Sequence, residues 1–220
     1  MALIHRATVH PTKLELLAAW LPDRDWHHVG PADGVTRVAG YRFDDPAGAV
    51  GIETLVVRVG GGALLHVPLT YRDAPLAGGE EWLVGTMEHS VLGTRWVYDA
   101  PGDPVYAAVL ASAVLGNTGQ AEEFVDVDGV LERREPDMAL VGGAAGDADV
   151  PVVGAIERVV EGDPTLIVTD TVELTVRRRL DTGAGLTGAA LTGAALTGAA
   201  LTGTWSGQQT PVPLASATLR

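Results

Sequence analysis

The sequence predicts an α+β fold, an antiparallel β-meander sheet with two short helices packed on it and a β-rich C-terminal part. Three observations carry that expectation. Short β-type runs alternate with glycine and aspartate turns through the middle of the chain, two helical stretches are each introduced by capping residues, and the 220 residues are 46% hydrophobic, enough for a packed core.

Leu3–Val9 reads as a first strand. Thr12 and Glu15 then form a T-x-x-E capping box, so a helix starts at Lys13. It presents Leu14, Leu17, Trp20 and Leu21 as an apolar stripe and stops at Pro22, which cannot continue a helix. Strand-like runs follow at Thr36–Phe43, Ile52–Val59 and Leu64–Tyr71, separated by turn chemistry at Asp44–Gly48 and Gly60–Gly62. Trp82–Glu88 and Arg95–Asp99 continue the meander. Asp103-Pro104 supplies an N-cap and a first-turn proline for a second helix, Val105–Leu115. That helix is apolar nearly all round, so it is buried against a sheet or covers a partner.

In the last third, strands are expected at Glu123–Val127, Met138–Val141, Val152–Val160 and Leu166–Val176, with a Gly/Asp-rich linker at Gly142–Asp149. Val172, Leu174 and Val176 alternate with polar neighbours, as in a half-buried strand. Residues 186–203 repeat LTGAA in the manner of a pentapeptide-like β-solenoid. So few copies complete barely one coil, however, and a solenoid needs stacked repeats. The tract from Thr182 to Ala200 therefore reads as an expanded loop feeding a strand at Leu201–Trp205. The expected organisation is one domain over residues 1–180, a low-complexity loop over 181–200, and a C-terminal strand pair, 201–220, returning to the same domain.

A formal net charge of −13 with a single lysine, Lys13, argues against a nucleic-acid or anionic-membrane surface, which needs clustered cations. The clusters Arg133–Arg134 and Arg177–Arg179 read as solvated charge, the second at a strand end. With no cysteine, disulfides, thiolate nucleophiles and Cys-ligated metals are excluded. No apolar run reaches the ~18 residues of a membrane span, and the N-terminus lacks a signal-peptide core, so the cytoplasm is the expected compartment.

Catalytic motifs are sparse. There is no G-x-x-x-x-G-K-[ST] loop, and Lys13 follows a helix cap instead of lying on a strand under a glycine-rich loop. No serine sits in a G-x-S-x-G elbow, and the clusters Gly60–Gly62 and Gly142–Gly146 are turns, not a dinucleotide fingerprint. His27–His28 and Glu88–His89 lack metal-ligand spacing. On an extended strand Glu88 and His89 point to opposite faces, so no metal and no cofactor are expected. What remains is a concentration of ring and charged side chains: His66, Tyr71, Arg72, Glu88, His89, Arg95, Trp96, Tyr98, Asp99 and Asp103. Strand alternation puts Val67, Leu69 and Tyr71 on one face and His66, Thr70 and Arg72 on the other. Trp96 and Tyr98 likewise lie opposite Arg95 and Asp99. Two readings fit: a core with a hydrogen-bonded rim, or a concave polar patch that grips a protein partner or a sugar-like ligand.

The same stretch, VPLTYRDAPLAGGEEWLVGTMEHSVLGTRWVYDAPGDPVYAAVLA, resembles the maltokinase N-terminal cap-like family of actinobacteria, as does the opening HRATVHPTKLELLAAWLPDRDW. The resemblance runs to about residue 115 and is weaker through Glu173–Leu180 and Leu201–Ala217, where LTGTWSGQQTPVPLASA is similar to the family's C-terminal strand pair. It implies an α+β cap found in proteins of α-glucan, maltose and trehalose metabolism. In the fused enzymes that cap packs on a nucleotide-binding lobe, while ATP, magnesium and maltose are held by downstream kinase lobes. The present sequence shows no such lobes, so the resemblance implies a free-standing, non-catalytic module. Such a module binds or regulates a protein partner in carbohydrate metabolism; the alternative is a small protein or enzyme that takes an α-glucan or disaccharide on the polar patch.

Overall fold

Three nine-residue strands make the centre of the molecule, because between them they carry apolar residues on both faces and cover a core on each. A computed structural model describes residues 2–4, 7–27, 34–62, 64–116, 118–127, 129–143, 150–180 and 199–220. In chain order the elements are β1 (Ala2–Ile4), β2 (Val9–His10), α1 (Lys13–Trp20), β3 (Val35–Phe43), β4 (Gly51–Val59), β5 (Leu64–Arg72), β6 (Leu83–His89), β7 (Gly93–Asp99) and α2 (Pro104–Leu115). They continue with β8 (Glu123–Val127), β9 (Val130–Arg134), β10 (Met138–Val141), β11 (Ile156–Val160), β12 (Thr165–Thr169), β13 (Val172–Val176), β14 (Arg179–Leu180), β15 (Ala199–Trp205) and β16 (Gln208–Leu219). The fold is α+β: two short helices and curled, largely antiparallel sheets. No helix among the described residues is long and apolar enough to cross a membrane.

The first sheet has strand order β2-β6-β7-β5-β4-β3, with β14 added to β5. The second runs β10-β15-β16-β13-β12-β11, and a three-stranded sheet joins β1, β8 and β9. The C-terminal strands β15 and β16 thus lie inside the second sheet, between β10 and β13. The LTGAA tract up to residue 198 and most of the Gly142–Asp149 linker lie outside the described residues; Ala199 and Ala200, expected to end the loop, already belong to β15.

Side-chain alternation gives the first sheet two interfaces. On one face Leu55, Val57, Val59, Leu65, Val67, Leu69, Met87 and Val97 pack against α1 and the segment after it, through Leu16, Leu17, Trp20, Leu21 and Trp26. The capping box is formed as expected: Glu15 N–H donates to Thr12 Oγ1 and Thr12 N–H to Glu15 Oε2. The helix buries Leu16 besides the expected stripe, because β6 presents Gly85, whose missing side chain leaves room for the Leu16 methyl. On the opposite face Tyr41, Phe43, Ile52 and Val56 meet α2, and α2 in turn meets the inner face of the second sheet, including Ile167, Leu174, Trp205 and Leu214. The helix that is apolar all round is therefore a middle layer. Tyr106, Leu110 and Val114 are fully enclosed within the chain, so α2 has no free apolar face for a partner or a second copy.

The residue pattern places most strands within a residue or two. It misses β9, whose residues are all exposed and carry no burial pattern to detect, the two-residue β14, and the turn at Asp170 and Thr171 that splits the expected Leu166–Val176 strand into the antiparallel pair β12 and β13; the strand expected at Val152–Val160 begins only at Ile156. Among the described residues of the expected Leu3–Val9 strand, Leu3 and Ile4 belong to β1 and Val9 to β2, in different sheets. Truncating Leu110 to Ala should cost about 2–5 kcal/mol, because a cavity would open between two packed layers that cannot collapse onto it. Urea denaturation of the variant should show a lowered midpoint with an unchanged slope.

Candidate functional site

Strand β5 sorts the sequence-selected residues, because alternate positions face α1 or α2. His66 faces inward and is fully buried. Its Nδ1–H donates to the Arg177 carbonyl at 2.8 Å, and its Nε2 accepts from the Tyr41 hydroxyl at 2.9 Å, an arrangement that fits the neutral ring. Burial is the largest influence and pushes its pKa down to about 4; the Arg178 charge acts in the same direction, and the Arg177 carbonyl opposes both.

Asp99, at the end of β7, makes a bidentate ion pair with Arg178 at 2.8 and 2.6 Å, and both side chains are buried. Arg178 Nε–H donates to Thr165 Oγ1 at 2.8 Å, and the guanidinium lies 4.7 Å from the Trp26 ring centroid. Arg178 thus corrects the reading of Arg177–Arg179 as solvated charge. The bend between β13 and β14 turns the central arginine into the interior, where a carboxylate, a hydroxyl and an aromatic face replace water. Asp103 is also buried. It caps α2 by accepting from Val105 N–H at 3.0 Å and takes two hydrogen bonds from Arg72, at 2.7 and 2.6 Å. The Tyr98 hydroxyl accepts from Leu76 N–H at 2.8 Å. Glu88 is exposed and accepts from the Thr94 hydroxyl, and Trp96 is half-buried.

Three of the ten residues, Tyr71, His89 and Arg95, come together on the α1 face, where they line a cavity of about 540 Å³. They share it with Lys13 at the start of α1, Arg42 of β3 and Asp73 after β5. The register explains the meeting. Gly51 pairs with Tyr71 and Tyr71 with Val97; Arg95 pairs with Met87 two residues along, and His89 with Gly93 and Val9 two further, so the three side chains stand on the same face of the sheet on neighbouring rungs. Glu88, next in sequence to His89, points to the other face, as extended geometry requires.

On the same face, between Arg42 of β3 and Leu69 of β5, stands Glu53 of β4, which sequence reasoning passed over. Lys13 Nζ donates to its Oε2, Arg42 Nη2 to its Oε1 at 2.9 Å, and the Tyr71 hydroxyl to Oε2 at 3.0 Å. Burial alone would raise this carboxyl; the two cations and the hydrogen bonds outweigh it and hold the pKa at about 2. A signal was available, since a glutamate inside the apolar run Ile52–Val59 has to find cations once buried, and Lys13 is the only lysine in the chain. Among the described residues no group of three or more His, Cys, Asp or Glu is placed to hold a metal ion.

The site thus lies on a curled antiparallel sheet covered by a short helix on one face. Residues 20–103, from the end of α1 to the N-cap of α2, match the family model of the maltokinase N-terminal cap domain. None of the curated proteins matches the sequence. Among solved structures the chain is similar to a glucosamine kinase in complex with glucosamine, ADP and inorganic phosphate, with 21% identity, a TM-score of 0.49, and coverage of 96% of this chain and 41% of that one. A second crystal form of a glucosamine kinase gives 19% identity, the same TM-score and the same coverage. The chain spans 41% of the length of these kinases.

Two outcomes follow from the buried groups. Replacing Asp99 with Ala strands the Arg178 guanidinium without its counter-charge and should cost about 3–5 kcal/mol, read from the denaturation midpoint. For His66, the folded pKa lies below the ~6.5 of an unfolded chain, so the unfolded state takes up the proton first. Its contribution is complete above about pH 6.5 and is lost as pH falls toward about 4. Melting temperatures between pH 7 and pH 4.5 should decline less steeply in His66→Gln than in the native protein.

Proposed function

We propose that this chain is a non-catalytic cap-like module of the cytoplasm that binds or regulates a protein partner in α-glucan, maltose or trehalose metabolism. The observation that carries this reading is the match of residues 20–103 to the maltokinase cap. The commitment of the ionisable groups supports it. Asp99 is spent on Arg178, Asp103 on Arg72 and the α2 cap, and Glu53 on Lys13, Arg42 and Tyr71. A carboxylate so engaged stabilises the fold and is poorly placed to accept a proton from a substrate. The cavity on the α1 face favours a second reading, a small carbohydrate-binding protein or enzyme, because it holds Tyr71 and several polar groups within one concave site.

Affinity capture of the tagged chain from its native host should recover a carbohydrate kinase or a glucan-active enzyme in stoichiometric amount; recovery of neither would sink the proposal. Purified protein given ATP, magnesium and maltose or trehalose should show no turnover. Robust turnover that disappears in Glu88→Gln, a surface change that leaves the core intact, would establish the enzyme reading instead.

A further inference from the structure

We propose that the cavity on the α1 face is a binding site for a small anion, a phosphate or carboxylate group carried on a hydroxylated small molecule, with Arg95 as its anchoring cation. The inference goes beyond the cap reading and does not rest on it.

The cavity exists because α1 is too short to cover the sheet. Eight helical residues extend about 12 Å, whereas a nine-residue strand such as β5 runs about 30 Å. The helix and its following segment seal the half of the face that carries Leu65 and Val67, and its first residue, Lys13, overhangs the end that carries Tyr71. Lys13 Nζ lies 5.4 Å from the Tyr71 ring centroid. The resulting volume, about 540 Å³, falls within the roughly 300–1,000 Å³ typical of small-molecule sites.

Charge selects the ligand. Lys13, Arg42 and Arg95 all line the cavity of a chain whose formal net charge is −13. The opposing acids are Glu53, shared between Lys13 and Arg42, Glu123 at 3.7 Å from Arg42 Nε, and Asp73 on the wall. Arg42 and Lys13 therefore have counter-charges already. Arg95 does not: among the described residues no carboxylate pairs with it. Its Nη2–H donates to the Leu92 carbonyl, and its Nε–H, enclosed by the protein, has no hydrogen-bond partner. An enclosed donor on a charged group is costly to leave unpaired, and the group that satisfies a guanidinium best is a planar or tetrahedral oxyanion. His89 lies on the same wall. Its Nδ1 accepts from the amides of Val91 and Leu92, which places the ring proton of the neutral form on Nε2. A neutral sugar would desolvate Arg95 without neutralising it, and a cation would add like charge beside it. The oxyanion is the occupant that leaves no charge stranded.

Isothermal titration of the full chain with inorganic phosphate, glucose 6-phosphate, gluconate and maltose tests this. The expected result is saturable binding of a phosphate-bearing or carboxylate-bearing titrant at one site, with no heat from maltose. Arg95→Gln should weaken that binding roughly tenfold or more at an unchanged melting temperature, and Ala49→Trp, which fills the cavity from its exposed wall, should abolish it. Silence from every anion, maltose binding as tightly as the anions, or an Arg95→Gln variant that binds like the native chain would overturn the proposal. Capture of a protein partner would leave these outcomes unaffected, so the two readings fail separately.

Discussion

The ion pair between Arg178 and Asp99 is the joint on which the arrangement of the two large sheets depends. Asp99 closes the meander of the first sheet at the end of β7, while Arg178 lies between β13 of the second sheet and β14. Thr165 of β12 and the ring of Trp26 complete the shell, so four separate parts of the chain meet at one guanidinium. Burying two charges is expensive, and here a bidentate geometry with all three guanidinium nitrogens engaged offsets the loss of water. That requirement makes the joint specific. Once Arg178 is seated, its carbonyl accepts from His66 N–H, and β14 is brought against β5.

From that joint outward the layers follow. The second sheet needs an apolar floor, and α2 provides one because it is apolar on all sides; the first sheet supplies the other wall. Buried polar groups at this level answer to one another, as the Tyr41, His66 and Arg177 chain shows. The α1 face of the first sheet is built differently. It has one short helix as its cover, and its uncovered end is lined by charge instead of hydrocarbon. The same sheet therefore holds a structural polar cluster on its interior side and an accessible one on the other.

Much of the fold was legible locally. The capping box at Thr12 and Glu15, the Asp103-Pro104 helix start and the glycine turn at residues 60–62 each settle a backbone choice within a few residues, and each is realised. The alternation in β5 gave the correct division of faces, since a strand's geometry leaves no other. The site was less legible. Ten residues stand out because they are polar or aromatic and close in sequence, yet the sheet delivers only Tyr71, His89 and Arg95 to the cavity. His66 and Asp99 go to the interior, paired with Tyr41 and Arg178 from distant segments. The residues that complete the cavity, Lys13 and Arg42, lie 58 and 29 positions before Tyr71 and carry no local mark.

The sequence by itself determined the class of fold, the positions of both helices, and the match of residues 20–103 to the maltokinase N-terminal cap model. These are matters of periodicity, capping and turn chemistry, which act over a few residues. Which charges are buried, which pair, and where the sheet is left open were decided only by tertiary structure. A charge in the interior is tolerable only beside its partner, and partners such as Arg178 and Asp99, 79 positions apart, meet through strand register and sheet packing, which no local pattern encodes.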